Sequence, residues 1–260
     1  MKDALDFAGK TALVTGSGRN IGRAIVLELA ARGANVVVNA RATAEDAAEA
    51  EAVKREAEAH GVQALVVAGD AAEPGTIARM KELTQARFGR VDICVSNANG
   101  RMRREGFFDT TDEDWHFFLN QQLTASWYLA KAFVPGMREA GWGRIIHING
   151  PAGWTGSSRS IPLAVGKGGL HVLTKSLAAG LGEYGITVND VNPGFVDISR
   201  GAGSSLDDVG VRDRAAAAMP IRRLIAPEEI AWACAYLCSA RSGAVTGTVV
   251  DVDGGPQLPG

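Results

Sequence analysis

Thr11-Ala12-Leu13-Val14-Thr15-Gly16-Ser17-Gly18-Arg19-Asn20-Ile21-Gly22 opens with a short β-branched and apolar run, passes through a glycine loop, and enters the apolar stretch Ile21–Arg32. A strand feeding a helix through such a loop brings backbone N–H groups and the positive helix end to one point. An anion such as a pyrophosphate fits there only if the backbone comes close, which glycine permits. Gly18 and Gly22 lie four apart, so the spacing is not GxGxxG. Asn20 stands between them, and asparagine is the non-glycine side chain that best tolerates a left-handed backbone. A tight strand–helix turn would use the same glycines. The position between a strand and an apolar helix favours the phosphate reading.

Outward from this loop, short apolar runs alternate with helical stretches. Strands are predicted at Thr11–Val14, Asn35–Val38, Ala64–Val67, Val91–Val95, Arg144–Ile148, Thr187–Val191 and Thr248–Val252. Near-continuous runs of this kind suit strands covered on both faces of a parallel sheet. Helices are predicted at Ile21–Arg32, Thr43–Ala59, Thr76–Phe88, Trp115–Arg138, Gly168–Glu183 and Pro227–Ser239. Thr43 precedes an acidic first turn, Gly33 follows the first helix, and Pro227-Glu228-Glu229 is a favourable helix opening. Strand–helix alternation implies crossover connections and a doubly wound α/β sheet in one domain over residues 1–260.

The composition agrees. The chain has 260 residues, 27 basic and 29 acidic side chains and 46% apolar residues. That leaves no electrostatic reason to bind nucleic acid or an anionic membrane. The three cysteines, Cys94, Cys234 and Cys238, do not make a disulfide framework or a metal site. The acids of the first six residues are unlike a signal peptide, and no run approaches a membrane span, so a soluble cytoplasmic protein is expected.

The loop Thr15–Gly22 resembles the TGxxxGxG loop of the short-chain dehydrogenase/reductase family, with Asn20 at the middle glycine. The resemblance extends over about 250 residues. Asp70, after the third strand, matches the family's adenine-contacting acid, with Ala71 beside it. Asn97-Ala98, within Ser96-Asn97-Ala98-Asn99, stands at the family's NNAG turn. Pro193-Gly194 matches the turn near the nicotinamide, and Val252-Asp253-Gly254-Gly255 matches the carboxyl-terminal signature. The resemblance implies a single Rossmann-like domain with a seven-stranded parallel sheet, a nicotinamide cofactor and a homotetramer or homodimer. The implied cofactor contacts are Gly16, Ser17, Arg19, Asn20, Ile21, Gly22, Arg41, Asp70, Ala71, Asn97, Ala98, Lys167, Pro193 and Gly194. The second strand ends Val38-Asn39-Ala40-Arg41, without the carboxylate that pairs with an NAD ribose. Arg41 and Arg19 suit a 2′-phosphate, so NADP(H) is expected before NAD(H).

The same resemblance implies a tyrosine acid/base, a lysine four residues later, an upstream serine and a supporting asparagine. Lys167 stands at the lysine position, but Leu163, Gly150 and Gln122 occupy those of tyrosine, serine and asparagine. Tyr128, Tyr184 and Tyr236, the only tyrosines, lie outside the segment. Losing a general acid costs roughly 10²–10⁴ in rate, and losing an oxyanion donor roughly 10²–10³. Candidate substitutes are Ser157, Ser158, Ser160, Lys167 and His171, whereas His147 reads as a buried structural imidazole.

Other features remain open at the sequence level. Arg101, Arg103 and Arg104, after the fourth strand, would suit an anionic substrate or acyl carrier, or form a solvated basic turn. Trp115, Phe117, Phe118, Trp127 and Phe133 enrich the long helix and would suit a partner interface. Residues 199–219 read as a lid. Three functions follow: an atypical NADP(H)-dependent oxidoreductase, a nucleotide-binding pseudoenzyme serving as sensor or partner subunit, or a non-redox lyase or hydrolase on this scaffold.

Overall fold

A computed structural model describes residues 7–99, 106–198 and 209–255 of the chain. Seven parallel strands form one sheet in the order β3-β2-β1-β4-β5-β6-β7. They are β1 (Thr11–Val14), β2 (Asn35–Ala40), β3 (Ala64–Ala68), β4 (Ile93–Ser96), β5 (Gly143–Ile148), β6 (Ile186–Pro193) and β7 (Val249–Val252). The doubly wound α/β expectation holds, with strand ends moved by a few residues. β1 lies between β2 and β4, so the chain reverses its direction of travel across the sheet at β1/β4. Open α/β sheets bind ligands beyond the carboxyl ends of such a pair.

Alternation along each strand explains the near-continuous apolar runs. Ala12, Val14, Val36 and Val38 enter one core with Ile25 and Leu29 of α1 (Asn20–Ala31), Val53 of α2 (Ala44–Glu58) and Leu237 of α9 (Pro227–Cys238). Leu13, Val37, Cys94 and Ile145 face the other way. They pack on Ile77 and Met80 of α3 (Pro74–Phe88) and on Leu129, Phe133 and Met137 of α5 (Ala125–Glu139). Both faces are thereby removed from water, at roughly 25 cal/mol for each Å² of apolar surface. Cys234 and Cys238 are buried in the first core as small apolar side chains, with thiol pKa values raised by burial, that of Cys238 to about 12.

Three local departures bear on the site. The long helix predicted at Trp115–Arg138 is α4 (Asp112–Leu119) and α5, joined by a π-helical turn at Asn120–Thr124. The helix after β5 begins well before the predicted Gly168: α7 spans Ile161–Leu181, with Pro162 in its first turn, where a proline suits a helix. A four-residue helix, α6 (Ala152–Thr155), precedes it, and α8 (Val209–Ala218) falls within the expected lid. Phe118 and Phe133 are core residues, so only Trp115, Phe117 and Trp127 of the predicted aromatic set are exposed. No helix among the described residues is long and apolar enough to cross a membrane.

Candidate functional site

The loop after β1 has the geometry its sequence predicts. Asn20 adopts φ +53° and Gly16 φ +60°, so asparagine supports the left-handed turn expected of it. Gly16 and Gly22 are also required by close approach, whereas a Cβ on Gly18 would meet only ordinary contacts at 3.5 Å. A Cβ on Gly16 would stand 2.8 Å from Ala98 Cα, and one on Gly22 only 2.5 Å from the Gly16 carbonyl oxygen and 2.6 Å from Asn97 Nδ2. The ends of β1 and β4 are thus pressed together at the reversal point. Asn97 Nδ2 donates to the carbonyls of Thr15 (2.8 Å) and Gly16 (3.0 Å), while Thr15 Oγ1 accepts from Asn97 N and Ala98 N.

Asn39, at the end of β2, ties the loop to the next two strands. Gly16 N donates to its Oδ1 (3.1 Å), and its Nδ2 donates to the carbonyls of Val67 and Gly69 at 3.0 Å each. Ser17 Oγ donates to Val14 O and accepts from Asn39 N, which places Ser17 inside the protein as a loop brace. Sequence reading missed this role for Asn39. Its signal was a polar amide at the end of an otherwise apolar strand. Arg19, the N-cap of α1, makes no side-chain hydrogen bond into the helix. The first N–H groups of any helix lack intrahelical acceptors, so this end suits an anion. Ile21 begins the apolar side of that helix and packs against the core.

Arg41 and Arg19 converge on one carboxylate. Arg41 Nε lies 3.0 Å from Asp46 Oδ2, and Arg19 Nη2 lies 3.5 Å from Asp46 Oδ1. Burial raises the Asp46 pKa, but Thr43, Arg41 and Arg19 outweigh it and hold the carboxyl below its usual range. Asp70, at the end of β3, accepts Ala72 N on Oδ1, and Gln121 Nε2 lies 3.2 and 3.1 Å from its two oxygens. Ala71 is buried next to it.

Around Lys167 the site is closed. The side chain is buried, and its Nζ donates to Ile148 O (2.9 Å) and Asn149 O (3.2 Å). Burial pulls its pKa down to about 8, against an opposing pull from Asp190. One turn earlier on α7, Leu163 is buried at 6% exposure. Gly150 follows Asn149 beyond the end of β5. Gln122 lies buried in the π-helical turn, where Nε2 donates to Asn99 Oδ1 (2.6 Å), and Gly166 on α7 leaves room for it. Pro193-Gly194 ends β6 against Asp253: a Cβ on Gly194 would meet the Asp253 carbonyl oxygen at 2.6 Å. The three tyrosines are engaged elsewhere. Tyr128 packs on the α3–α5 core, Tyr184 lies beneath the Arg138 guanidinium, and Tyr236 stacks on Trp232.

His171 does not reach the Leu163 end of α7. It lies one turn beyond Lys167, with Nδ1 3.2 Å from Asp190 Oδ2 and its ring against Trp154. His147 is buried beside Thr174, as expected of a structural imidazole. Arg101, Arg103 and Arg104 lie outside the described residues, as do residues 199–208 of the expected lid. No group of three or more metal-ligating side chains occurs among the described residues.

The strand order and the loop at its reversal point define a Rossmann-like α/β protein. Residues 16–257 match the family model described as Enoyl-(Acyl carrier protein) reductase. The chain is 38% identical over 254 residues to 3-oxoacyl-acyl-carrier-protein reductase FabG of Escherichia coli (strain K12), covering 98% of this chain and 100% of the relative. Among solved structures it is similar to L-sorbose reductase from Gluconobacter frateurii complexed with NADPH and L-sorbose. The TM-score is 0.90 at 31% identity, covering 99% of this chain and 100% of that one. It is also similar to a gluconate 5-dehydrogenase from Burkholderia cenocepacia J2315 in complex with NADP and tartrate, with TM-score 0.88 at 31% identity and 98% of each chain covered. The chain belongs to the short-chain dehydrogenase/reductase family.

Proposed function

We propose that the protein is an atypical NADP(H)-binding oxidoreductase of this family that works without the family's serine and tyrosine. The observation that carries this reading is a formed dinucleotide cradle beside a buried Lys167, with buried Leu163 where the acid would stand. The residues fit the cofactor. The uncapped N-terminus of α1 and the loop from Gly16 to Gly22 suit the pyrophosphate, Asp70 and Ala71 the adenine, and Asn97 and Ala98 the adjoining ribose. Lys167 suits the nicotinamide ribose hydroxyls, and Pro193-Gly194 the nicotinamide itself. Arg41 and Arg19, already converging at Asp46, support NADP(H) before NAD(H). The NADP and NADPH complexes among the related structures point the same way. When bound, the cofactor supplies or accepts hydride.

Leucine offers neither proton nor hydrogen bond, so the substrate is one whose reduced centre needs no proton from position 163, or whose own groups supply it. Three basic residues after β4 (Arg101, Arg103 and Arg104) favour an anionic substrate. Residues 199–219 would close over it, and the exposed Trp115, Phe117 and Trp127 suit assembly into a homodimer or homotetramer. A second reading, a nucleotide-binding sensor or silent partner subunit, is favoured by the same tyrosine census: all three phenols of the chain are engaged away from Lys167. Titration of NADPH fluorescence tests the shared premise, and absence of binding at millimolar cofactor removes both readings. Cofactor-dependent turnover in a panel of ketones, imines and activated alkenes supports the first reading. Binding without any turnover supports the second.

A further inference from the structure

Below Lys167, on the side away from Leu163, lies a buried polar cluster that the cofactor cradle does not use. Its centre is Asp190 on β6, fully buried on a strand whose central segment was predicted as an apolar run. Thr174 Oγ1 donates to Asp190 Oδ1, and Asn149 Nδ2 donates to Oδ2 at 2.9 Å. His171 Nδ1 lies 3.2 Å from the same Oδ2. The single Thr174 proton goes to the carboxylate, so His147 Nδ1 must be the donor in its 2.6 Å bond to Thr174 Oγ1. An ionised carboxylate only accepts, which makes His171 Nδ1 a donor too.

Asn149 joins this cluster to the lysine through three hydrogen bonds made by two of its atoms. Nδ2 reaches both Asp190 Oδ2 and the Lys167 carbonyl (3.3 Å), while its own carbonyl accepts from Lys167 Nζ. The ammonium thus rests on two neutral carbonyls, with a buried carboxylate one residue behind them. Isolated buried charges are costly, and a hydrogen-bonded counter-charge offsets much of that cost.

We propose that Asp190 is a positioning residue that provides the buried counter-charge of Lys167 and, through Asn149, fixes the carbonyls on which the ammonium sits. The titratable groups facing Asp190 are His147 from β5, and His171 and Lys167 from α7. Val249, its register partner on β7, carries no charge. Asp190 raises the Lys167 pKa against the lowering that burial imposes. Burial is the largest influence on Asp190 and raises its pKa, but His147, Thr174 and Asn149 together bring it below the usual value. The functional consequence rests on Lys167 holding the cofactor ribose, whereas the coupling of the two charges does not.

Two measurements separate these. The first is urea unfolding of the cofactor-free protein as a double-mutant cycle of Asp190→Asn and Lys167→Met. The expected result is non-additivity, with Asp190→Asn much less destabilising once the lysine charge is gone. Additive effects overturn the proposal. Should Asp190→Asn fail to fold alone, folding regained in the Lys167→Met background supports the coupling, and failure in both backgrounds overturns it. The second is NADPH affinity against pH. Asp190→Asn should move the alkaline midpoint about one unit towards acid, weakening binding about fivefold at pH 8 and about tenfold well above it. An unchanged midpoint overturns the proposal. If the parent protein does not bind NADPH, the cofactor reading fails while the unfolding cycle still decides the charge coupling.

Discussion

A Cβ built on Gly150 would stand 3.9 Å from Lys167 Cε, ordinary contact distance, with no other heavy atom of the described residues within 4 Å apart from its chain neighbours. The serine position is therefore empty space beside the lysine rather than space taken by another side chain. Gly150→Ser combined with Leu163→Tyr should then raise NADPH-dependent reduction of a simple ketone by ~10² or more. Loss of NADPH absorbance in steady state measures it. A double variant that binds NADPH yet stays inactive would mean that the cleft differs from a competent one in further positions.

The glycine loop makes a sharper prediction. Gly22→Ala must place a methyl group 2.5 Å from the Gly16 carbonyl oxygen, which requires the β1 and β4 ends to part. A loss of about 1–3 kcal/mol in unfolding free energy is expected, accompanied by weaker NADPH binding. Asn20→Gly should be nearly neutral in both measurements, whereas Asn20→Val should cost ~1–2 kcal/mol because its φ is +53°.

Cofactor preference depends on the arginines at Asp46. Arg41→Ala should weaken NADPH by about tenfold, ~1.4 kcal/mol, and leave NADH within a factor of two or so. Asp46→Asn, which releases Arg41 and leaves Arg19 with only its Glu49 partner at 3.5 Å, should shift the ratio further towards NADPH. Parallel fluorescence titrations with the two cofactors measure both effects. An equal loss for NADPH and NADH in Arg41→Ala would place that side chain outside the 2′-phosphate site.

The Lys167 pKa of about 8 predicts opposite pH trends for binding and stability. With the ammonium holding the ribose hydroxyls as proposed, NADPH affinity should hold below pH 8 and fall as pH rises through it. The folded pKa lies below the usual lysine value of 10.5, so the unfolded chain binds more protons between pH 8 and 10.5. Over that window this group adds stability as pH rises. Lys167→Met should remove both trends.

Asn39→Leu should be strongly destabilising. It leaves Gly16 N–H and the carbonyls of Val67 and Gly69 without their partner. A loss of roughly 2–4 kcal/mol in urea unfolding is expected, because unpaired buried groups incur their desolvation cost in full.

How far the chain could be read without coordinates follows from the range of each interaction. The order of strands and helices, the glycine loop, the left-handed Asn20 and the lysine four residues after Leu163 were all legible, since each depends on neighbours along the chain. The early start of α7 was missed because Pro162 reads as a breaker when it is in fact a first-turn residue. The π-helical turn at Asn120–Thr124 was missed because a helical pattern continues through it on both sides.

The sequence alone determined the parallel α/β architecture, the glycine loop between β1 and α1, and which residues align with the family's catalytic set. Only the tertiary structure decided that Asn39 clamps three strand ends and that Arg19 and Arg41 share Asp46. It also decided that Asp190, far along the chain, is joined to Lys167 through Asn149. Periodicity and turn chemistry are local and leave a trace in every segment. Hydrogen bonds between side chains of different strands depend on register and twist, which are set only when the whole sheet assembles.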